Sequence, residues 1–190
     1  MLFRSDADVD VALRAILFGA VGTAGQRCTT TRRVFLHKDI AARFTEHLVK
    51  LYSQIRIGDP LADGTLMGPL IDEDAVLSFE TAVAEAQRQG GTVLCGGRRL
   101  DGPGHYVLPT IIAADPTMTI CGHETFAPIL YVMEYSDLDE AIGMNNGVTQ
   151  GLSSSIFTRS FRASERFLSV RGSDCGIANV NIGTSGAEIG

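Results

Sequence analysis

The sequence predicts an α/β domain with a largely parallel sheet and helices on both faces. Three observations support this. Strand-like runs and helix-like stripes alternate along most of the chain, the pattern of a parallel sheet fed by crossover helices. The run Ile129-Leu-Tyr-Val-Met-Glu-Tyr135 is almost continuously apolar, as suits a strand covered on both faces. Ile40, Phe44, Leu48, Leu51 and Ile55 recur at helical spacing and form a single apolar stripe.

In chain order, Val9 to Phe18 reads as a helix. Val9, Ala12, Leu13, Ile16 and Leu17 lie on one side, Asp8 is at the N-cap, and Gly19 and Gly22 weaken the end. Arg33-Val-Phe-Leu-His37 is a short strand. Asp39 is read as the cap of the next helix, which Gly58-Asp-Pro60 stops. Residues 59–71 form a loop. Asp72-Glu-Asp-Ala75 opens a third helix with acids at its positive end, and Gly90 closes it. Thr92 to Cys95 is a strand. After turns at Gly96-Gly97 and Asp101-Gly-Pro-Gly104, His105 to Ile112 is extended, with Pro109 suggesting an edge strand or a bulge. Ser136 and Asp139 resemble a capping box for a helix ending at Asn145-Asn-Gly147. Ser154 to Phe157 is a strand, Ser160 caps a helix through Val170, and Ile177 to Asn181 is the last strand. No element is assigned to residues 1–4.

The 190 residues are enough for one well-formed core, with 45% apolar and 20% charged residues. A net charge of −6 with scattered Lys and Arg argues against nucleic acid or an anionic membrane as partner. No segment has the roughly 18 apolar residues of a membrane span, and residues 1–6 lack the apolar core of a signal peptide. The cysteines are Cys28, Cys95, Cys121 and Cys175. No C-x-x-C pair and no His at zinc-ligand spacing accompanies them, so no metal site is expected. Reduced thiols in a cytoplasmic protein are the simplest reading.

The stretch Gly22-Thr-Ala-Gly-Gln-Arg-Cys-Thr-Thr-Thr-Arg-Arg33 carries the chemistry. Glycines at 22 and 25 allow a sharp turn, and Cys28 follows beside Arg27, whose charge would favour a thiolate. This suits covalent catalysis. On residue types alone, an inert core cysteine is the more ordinary reading.

This stretch resembles the nucleophile segment of the aldehyde dehydrogenase superfamily, and its Gln-Arg-Cys-Thr-Thr form is similar to the antiquitin group, the α-aminoadipic semialdehyde dehydrogenases. Three later stretches resemble the same group in the same order: Gly68-Pro-Leu70, His123-Glu-Thr-Phe-Ala-Pro-Ile129, and Gly172 to Asn181 running into Thr184-Ser-Gly-Ala-Glu-Ile-Gly190. The resemblance implies Cys28 as nucleophile, with its backbone N–H as an oxyanion donor. It implies Glu124 and Phe126 as binders of the nicotinamide ribose and ring of NAD, or of NADP. Spaced by two in an extended segment, these two would point to one side. Arg27, Thr29, Ser185, Gly186 and Ala187 would bind the substrate, a small-molecule aldehyde and by this resemblance an amino-acid semialdehyde.

The resemblance further implies that residues 1–190 form a single nucleophile-bearing catalytic domain, with the Rossmann cofactor domain and a C-terminal assembly strand outside the chain. No G-x-G-x-x-G fingerprint occurs. The parent enzyme is expected to be a homo-oligomer, and this chain by itself a poor catalyst. The alternative is a non-catalytic interaction or assembly fragment of a larger aldehyde dehydrogenase.

Overall fold

The structure, a computed structural model, describes residues 1–185. Its centre is a 7-stranded sheet in the order β3-β4-β5-β2-β1-β6-β7. The strands are β1 (Leu2–Phe3), β2 (Arg33–His37), β3 (Thr92–Cys95), β4 (Thr110–Ala113), β5 (Ile129–Tyr135), β6 (Ser153–Phe157) and β7 (Ile177–Val180). All neighbouring pairs are parallel except β3 with β4, which makes β3 an antiparallel edge. Ile129 to Met133 of β5 are buried without interruption, so both faces of the sheet are covered there, as the apolar run requires.

Five helices are described: α1 (Val9–Val21), α2 (Lys38–Tyr52), α3 (Glu73–Arg88), α4 (Leu138–Asn146) and α5 (Phe161–Leu168). The Asp8, Asp72 and Ser160 side chains cap α1, α3 and α5, each accepting from the N–H three residues on. Two caps differ from expectation. α2 starts directly at the end of β2, so His37 Nδ1 accepts from the Asp39 N–H at 3.3 Å and Asp39 falls in the first turn. For α4 the cap is Asp137, whose Oδ1 accepts from the Asp139 and Glu140 N–H groups at 3.0 Å. Glu140 Oε2 accepts in return from the Ser136 N–H at 2.8 Å and more distantly from that of Asp137, completing a box with the usual glutamate.

Other boundaries move as well. Only Thr110–Ala113 of the expected 105–112 strand joins the sheet. That strand is interior, between β3 and β5, and Pro109 stands just before its first pair, where its missing N–H disrupts no ladder bond. The irregularity lies instead in β3, between Val93 and Cys95. α5 stops at Leu168, short of Val170, where the chain turns and the Ser173 N–H bonds the Phe167 carbonyl at 2.8 Å.

Residues 1–4, without an element in the sequence reading, supply β1 between β2 and β6. Leu2 and Phe3 are fully buried, and the Phe3 ring lies 4.8 Å from that of Phe157 and 5.4 Å from that of Phe44 on α2. Two residues are too few for periodicity to register, yet they join the two halves of the sheet.

Candidate active site

The site is assembled where loops enter the amino ends of the parallel strands. β2 begins at Arg33, β5 at Ile129, β6 at Ser153 and β7 at Ile177. The residues just before or at those starts line a cavity of about 300 Å³ that also reaches Met1 at the foot of β1.

The Cys28 turn grows out of α1. Beyond Val21 the chain tightens into a 3₁₀ turn, Gly22–Gly25, in which Thr23 (φ 57°) and Ala24 (φ 53°) are left-handed and Gly25 follows at φ 71°. The two glycines therefore act differently from each other. Gly25 is left-handed, and a Cβ there would run into the backbone of Ala127 and Pro128. Gly22 has an ordinary φ of −54°, and its missing side chain leaves room for the end of Arg27. The Arg27 N–H donates to Thr30 Oγ1 at 3.1 Å and the Thr30 N–H to the Arg27 carbonyl at 3.0 Å, so Cys28 and Thr29 are the middle of a closed turn. Cys28 is exposed and at the cavity wall, and its N–H makes no hydrogen bond among the described residues.

The Arg27 side chain turns away from the cavity. Its Nη2 donates to the Phe18 carbonyl at 3.0 Å, and its guanidinium lies 4.7 Å from the centre of the Phe18 ring. The cation beside Cys28 in the cavity wall is Arg32, which the sequence reading did not single out. Arg32 Nη2 meets Glu124 Oε1 at 2.6 Å and donates to the Arg27 carbonyl at 3.3 Å. The same guanidinium lies 5.6 Å from the Phe126 ring centre. Burial lowers the Arg32 pKa, with Glu124 and Cys28 opposing the shift. The available signal was a cation at the mouth of an apolar strand, a position that normally demands an anionic partner.

Glu124 and Phe126 do meet at one place, although the segment is not extended. Phe126 is left-handed at φ 59°, and Ala127-Pro128 folds back against Gly25. Gln26 fastens the second motif, Gly68-Pro-Leu70. Its Oε1 accepts from the Ile71 N–H at 2.9 Å and its Nε2 donates to the Pro69 carbonyl at 3.3 Å.

The fourth motif arrives by a reversal at Asn181 (φ 58°), whose amide bonds the Thr158 N–H and carbonyl, each at 3.0 Å. The returning strand of chain is hooked to β6, with Ser155 Oγ donating to the Ile182 carbonyl and Ser153 Oγ to that of Thr184. Buried Thr184 Oγ1 lies 2.8 Å from Thr31 Oγ1 and donates to the Thr29 carbonyl at 2.8 Å. Ser185 Oγ donates to the same carbonyl at 3.3 Å and lies 3.4 Å from Thr29 Oγ1. Thr29 and Ser185 are thus brought together. Gly186 and Ala187 lie outside the described residues.

Cys121 and Cys175 share the cavity wall with Cys28. Burial pushes the Cys121 thiol up to about 11, against the opposing charge of Arg33. Cys175 sits in a hydroxyl cluster with Ser154 Oγ at 3.0 Å and Ser173 Oγ at 3.3 Å. Arg33 is committed elsewhere, donating to the Met144 and Asn145 carbonyls at the end of α4, each at 2.8 Å. Among the described residues no cluster of three or more His, Cys, Asp or Glu could hold a metal ion, and no helix is long and apolar enough to cross a membrane.

The model of the aldehyde dehydrogenase family matches residues 1–189. The chain belongs to the aldehyde dehydrogenase family. Among curated relatives, the chain is 49% identical over 190 residues to aldehyde dehydrogenase family 7 member A1 of Pisum sativum, covering 100% of this chain and 37% of the relative. It is 53% identical over 186 residues to the α-aminoadipic semialdehyde dehydrogenase of Bos taurus, covering 97% of this chain and 34% of that protein. The chain therefore spans little more than a third of these relatives. The fold is that of aldehyde dehydrogenases: a lactaldehyde dehydrogenase from Escherichia coli superposes with a TM-score of 0.93 at 32% identity, over 99% of this chain and 39% of that one. An NAD-dependent aldehyde dehydrogenase from Sinorhizobium meliloti gives 0.93 at 28% identity, over 98% of this chain and 37% of its own.

Proposed function

We propose that this chain is the nucleophile-bearing catalytic domain of an enzyme that oxidises an aldehyde to a carboxylate with NAD, or with NADP, and that Cys28 carries the substrate as a covalent adduct. The observation that bears most weight is the presentation of Cys28: an exposed thiol in the middle of a closed turn, at the wall of a cavity that Arg32 and Glu124 also line. The Cys28 sulfur adds to the carbonyl carbon to give a thiohemiacetal, and the unbonded Cys28 N–H donates to the resulting oxyanion. A nicotinamide cofactor, when bound, accepts hydride from that carbon. The acyl group left on Cys28 as a thioester is released by water as the carboxylic acid.

The side chains present fit the nicotinamide-riboside half of such a cofactor. Glu124 is half exposed, with Oε1 on Arg32 and Oε2 making no bond among the described residues, so it can accept ribose hydroxyls. The exposed Phe126 ring offers an apolar face beside it. α-Aminoadipic semialdehyde is the aldehyde we favour, on the resemblance of Thr29 and Ser185 to the antiquitin-type pocket and on the printed name of the bovine relative. Arg27 enters that pocket only by leaving Phe18, so its part as carboxylate binder requires a change of rotamer. Cofactor phosphate and adenosine sites lie outside this reading of the chain, and the isolated chain is expected to turn over poorly. A cytoplasmic setting with reduced thiols is part of this proposal, and the parent enzyme is proposed to be a homo-oligomer.

The test is aldehyde protection of the thiol. The chain is treated with iodoacetamide with and without α-aminoadipic semialdehyde, and labelling is mapped by mass spectrometry with Cys28→Ala as control. Selective protection of Cys28 is expected, with negligible NADH formed when NAD is added to the chain and aldehyde without iodoacetamide. Labelling of Cys28 unaffected by the aldehyde would reject the covalent role. Brisk NADH production would reject the expectation of low turnover and leave that role standing.

A further inference from the structure

We infer that Arg32 is a positioning residue: it holds the Glu124 carboxylate in place for a ribose diol while tying that carboxylate to the nucleophile turn. This rests on the cofactor reading above and adds to it the residue through which Glu124 acts.

The geometry on the page is specific. One nitrogen, Arg32 Nη2, lies 2.6 Å from Glu124 Oε1 and 3.3 Å from the carbonyl of Arg27, the residue preceding Cys28. The plane of the guanidinium also approaches the Phe126 ring, 5.6 Å from its centre. Arg32 Nε is buried and makes no hydrogen bond among the described residues. The pair is lopsided in exposure, with the Arg32 side chain 21% exposed and that of Glu124 50%. An exposed ion pair of two mobile side chains stabilises little, but here the cation is fixed and the anion projects from it into the cavity.

Three consequences follow from that lopsidedness. Arg32 fixes the rotamer of Glu124 before any ligand arrives, which reduces the ordering cost of binding. It compensates the carboxylate charge when a ligand excludes water, so that Glu124 remains an acceptor toward hydroxyl donors. Through the Arg27 carbonyl it sets the distance between that acceptor and Cys28. Lysine at this position would retain the charge but would not reproduce the planar guanidinium that lies against carboxylate, carbonyl and ring together.

The experiment measures nicotinamide mononucleotide, the half of the dinucleotide that carries this ribose, as a protector of Cys28 in the 190-residue chain. Iodoacetamide labelling rates at Cys28 are mapped against mononucleotide concentration, with circular dichroism confirming the fold of every variant. Arg32→Gln is expected to raise the half-protecting concentration about tenfold, the scale of a weakened charge-assisted hydrogen bond. Glu124→Gln should match it, the double variant should be no worse than either single one, and Arg32→Lys should fall between Arg32→Gln and the native chain. A purely structural role for Arg32 would give additive losses and no intermediate value for lysine, and that result overturns the inference. Protection equal in native chain and Arg32 variants also overturns it while leaving the cofactor reading intact. A native chain that the mononucleotide does not protect overturns both together.

Discussion

Replacing Gly25 with alanine tests whether the Cys28 turn is built by close approach of two motifs. Gly25 lies at φ 71°, and a Cβ there would overlap the Ala127 carbonyl and the Pro128 nitrogen, which are backbone atoms without a rotamer to move. The left-handed conformation costs an alanine about 1–2 kcal/mol. Forced repacking against backbone adds about 1–3 kcal/mol. Reduced freedom of the unfolded chain returns about 0.4–1 kcal/mol. The net destabilisation expected is about 2–4 kcal/mol, which for a chain of this size lowers the melting temperature by roughly 10 °C. Gly22→Ala is the matched control. Its φ of −54° suits alanine, and the only obstacle is the far end of the Arg27 side chain, so about 1 kcal/mol or less is expected.

Urea unfolding followed by circular dichroism gives both values, and iodoacetamide labelling reports the turn itself. Gly25→Ala should also displace Cys28 relative to Glu124, changing its labelling rate while that of Cys95 stays constant. If Gly25→Ala unfolds within about 0.5 kcal/mol of the native chain, the change usual for an unconstrained surface site, the contact between Gly25 and the 127–128 backbone does not govern the turn. Equal losses at positions 22 and 25 would refute the distinction between them.

Thr23 is exposed, β-branched and left-handed at φ 57°, so Thr23→Gly is expected to raise the urea-unfolding free energy by up to about 1 kcal/mol; a loss would show that the Thr23 hydroxyl bond to the Gly22 carbonyl matters more than the strain. Thr184→Val removes the buried hydroxyl shared by Thr31 and the Thr29 carbonyl and should cost about 1–3 kcal/mol in the same assay, with Thr184→Ser retaining most of the stability. The Cys121 thiol is raised from 9.0 to about 11 mainly by burial, so the folded state holds its proton more tightly than the unfolded state. Its contribution is complete below about pH 9 and lost as pH rises toward 11, and stability should fall more steeply there in the native chain than in Cys121→Ala.

The helices and most strands were legible because their signals are local. Asp8, Asp72 and Ser160 announce helix starts by the chemistry of a short side chain beside unpaired N–H groups, and each caps as expected. The apolar run of β5 shows its burial in its own composition. By contrast, β1 is two residues long and owes its existence to partners at positions 35–36 and 156–157, which no local pattern reveals. The same limit applies to the site. Cys28, Glu124 and Phe126 are singled out through motifs. Arg32 was passed over because the cation adjacent in sequence, Arg27, was assumed to be adjacent in space. The closed 27–30 turn sends the Arg27 side chain back to Phe18, leaving the position beside Glu124 to the residue that enters β2.

The hydroxyl residues reveal a division of labour that sequence order hides. Along β6, Ser153 and Ser155 point one way and hold the returning 182–184 segment, while Ser154 points the other way into the Ser173 and Cys175 cluster. Three consecutive serines, which read as a polar interruption in a strand, thus bind two different segments of the fourth motif on opposite faces. The segment they hold delivers Thr184 to Thr29 and Thr31, shortly after Cys28. Ligands in open parallel sheets are usually held beyond the carboxyl ends of the strands. Here the cavity forms at the amino ends, where loops are tied to one another through side-chain hydroxyls, an arginine and a glutamine. A site built this way depends on the mutual fit of its four motifs, so small changes at Gly25, Arg32 or Thr184 should disturb Cys28 even though none of the three is the reacting group.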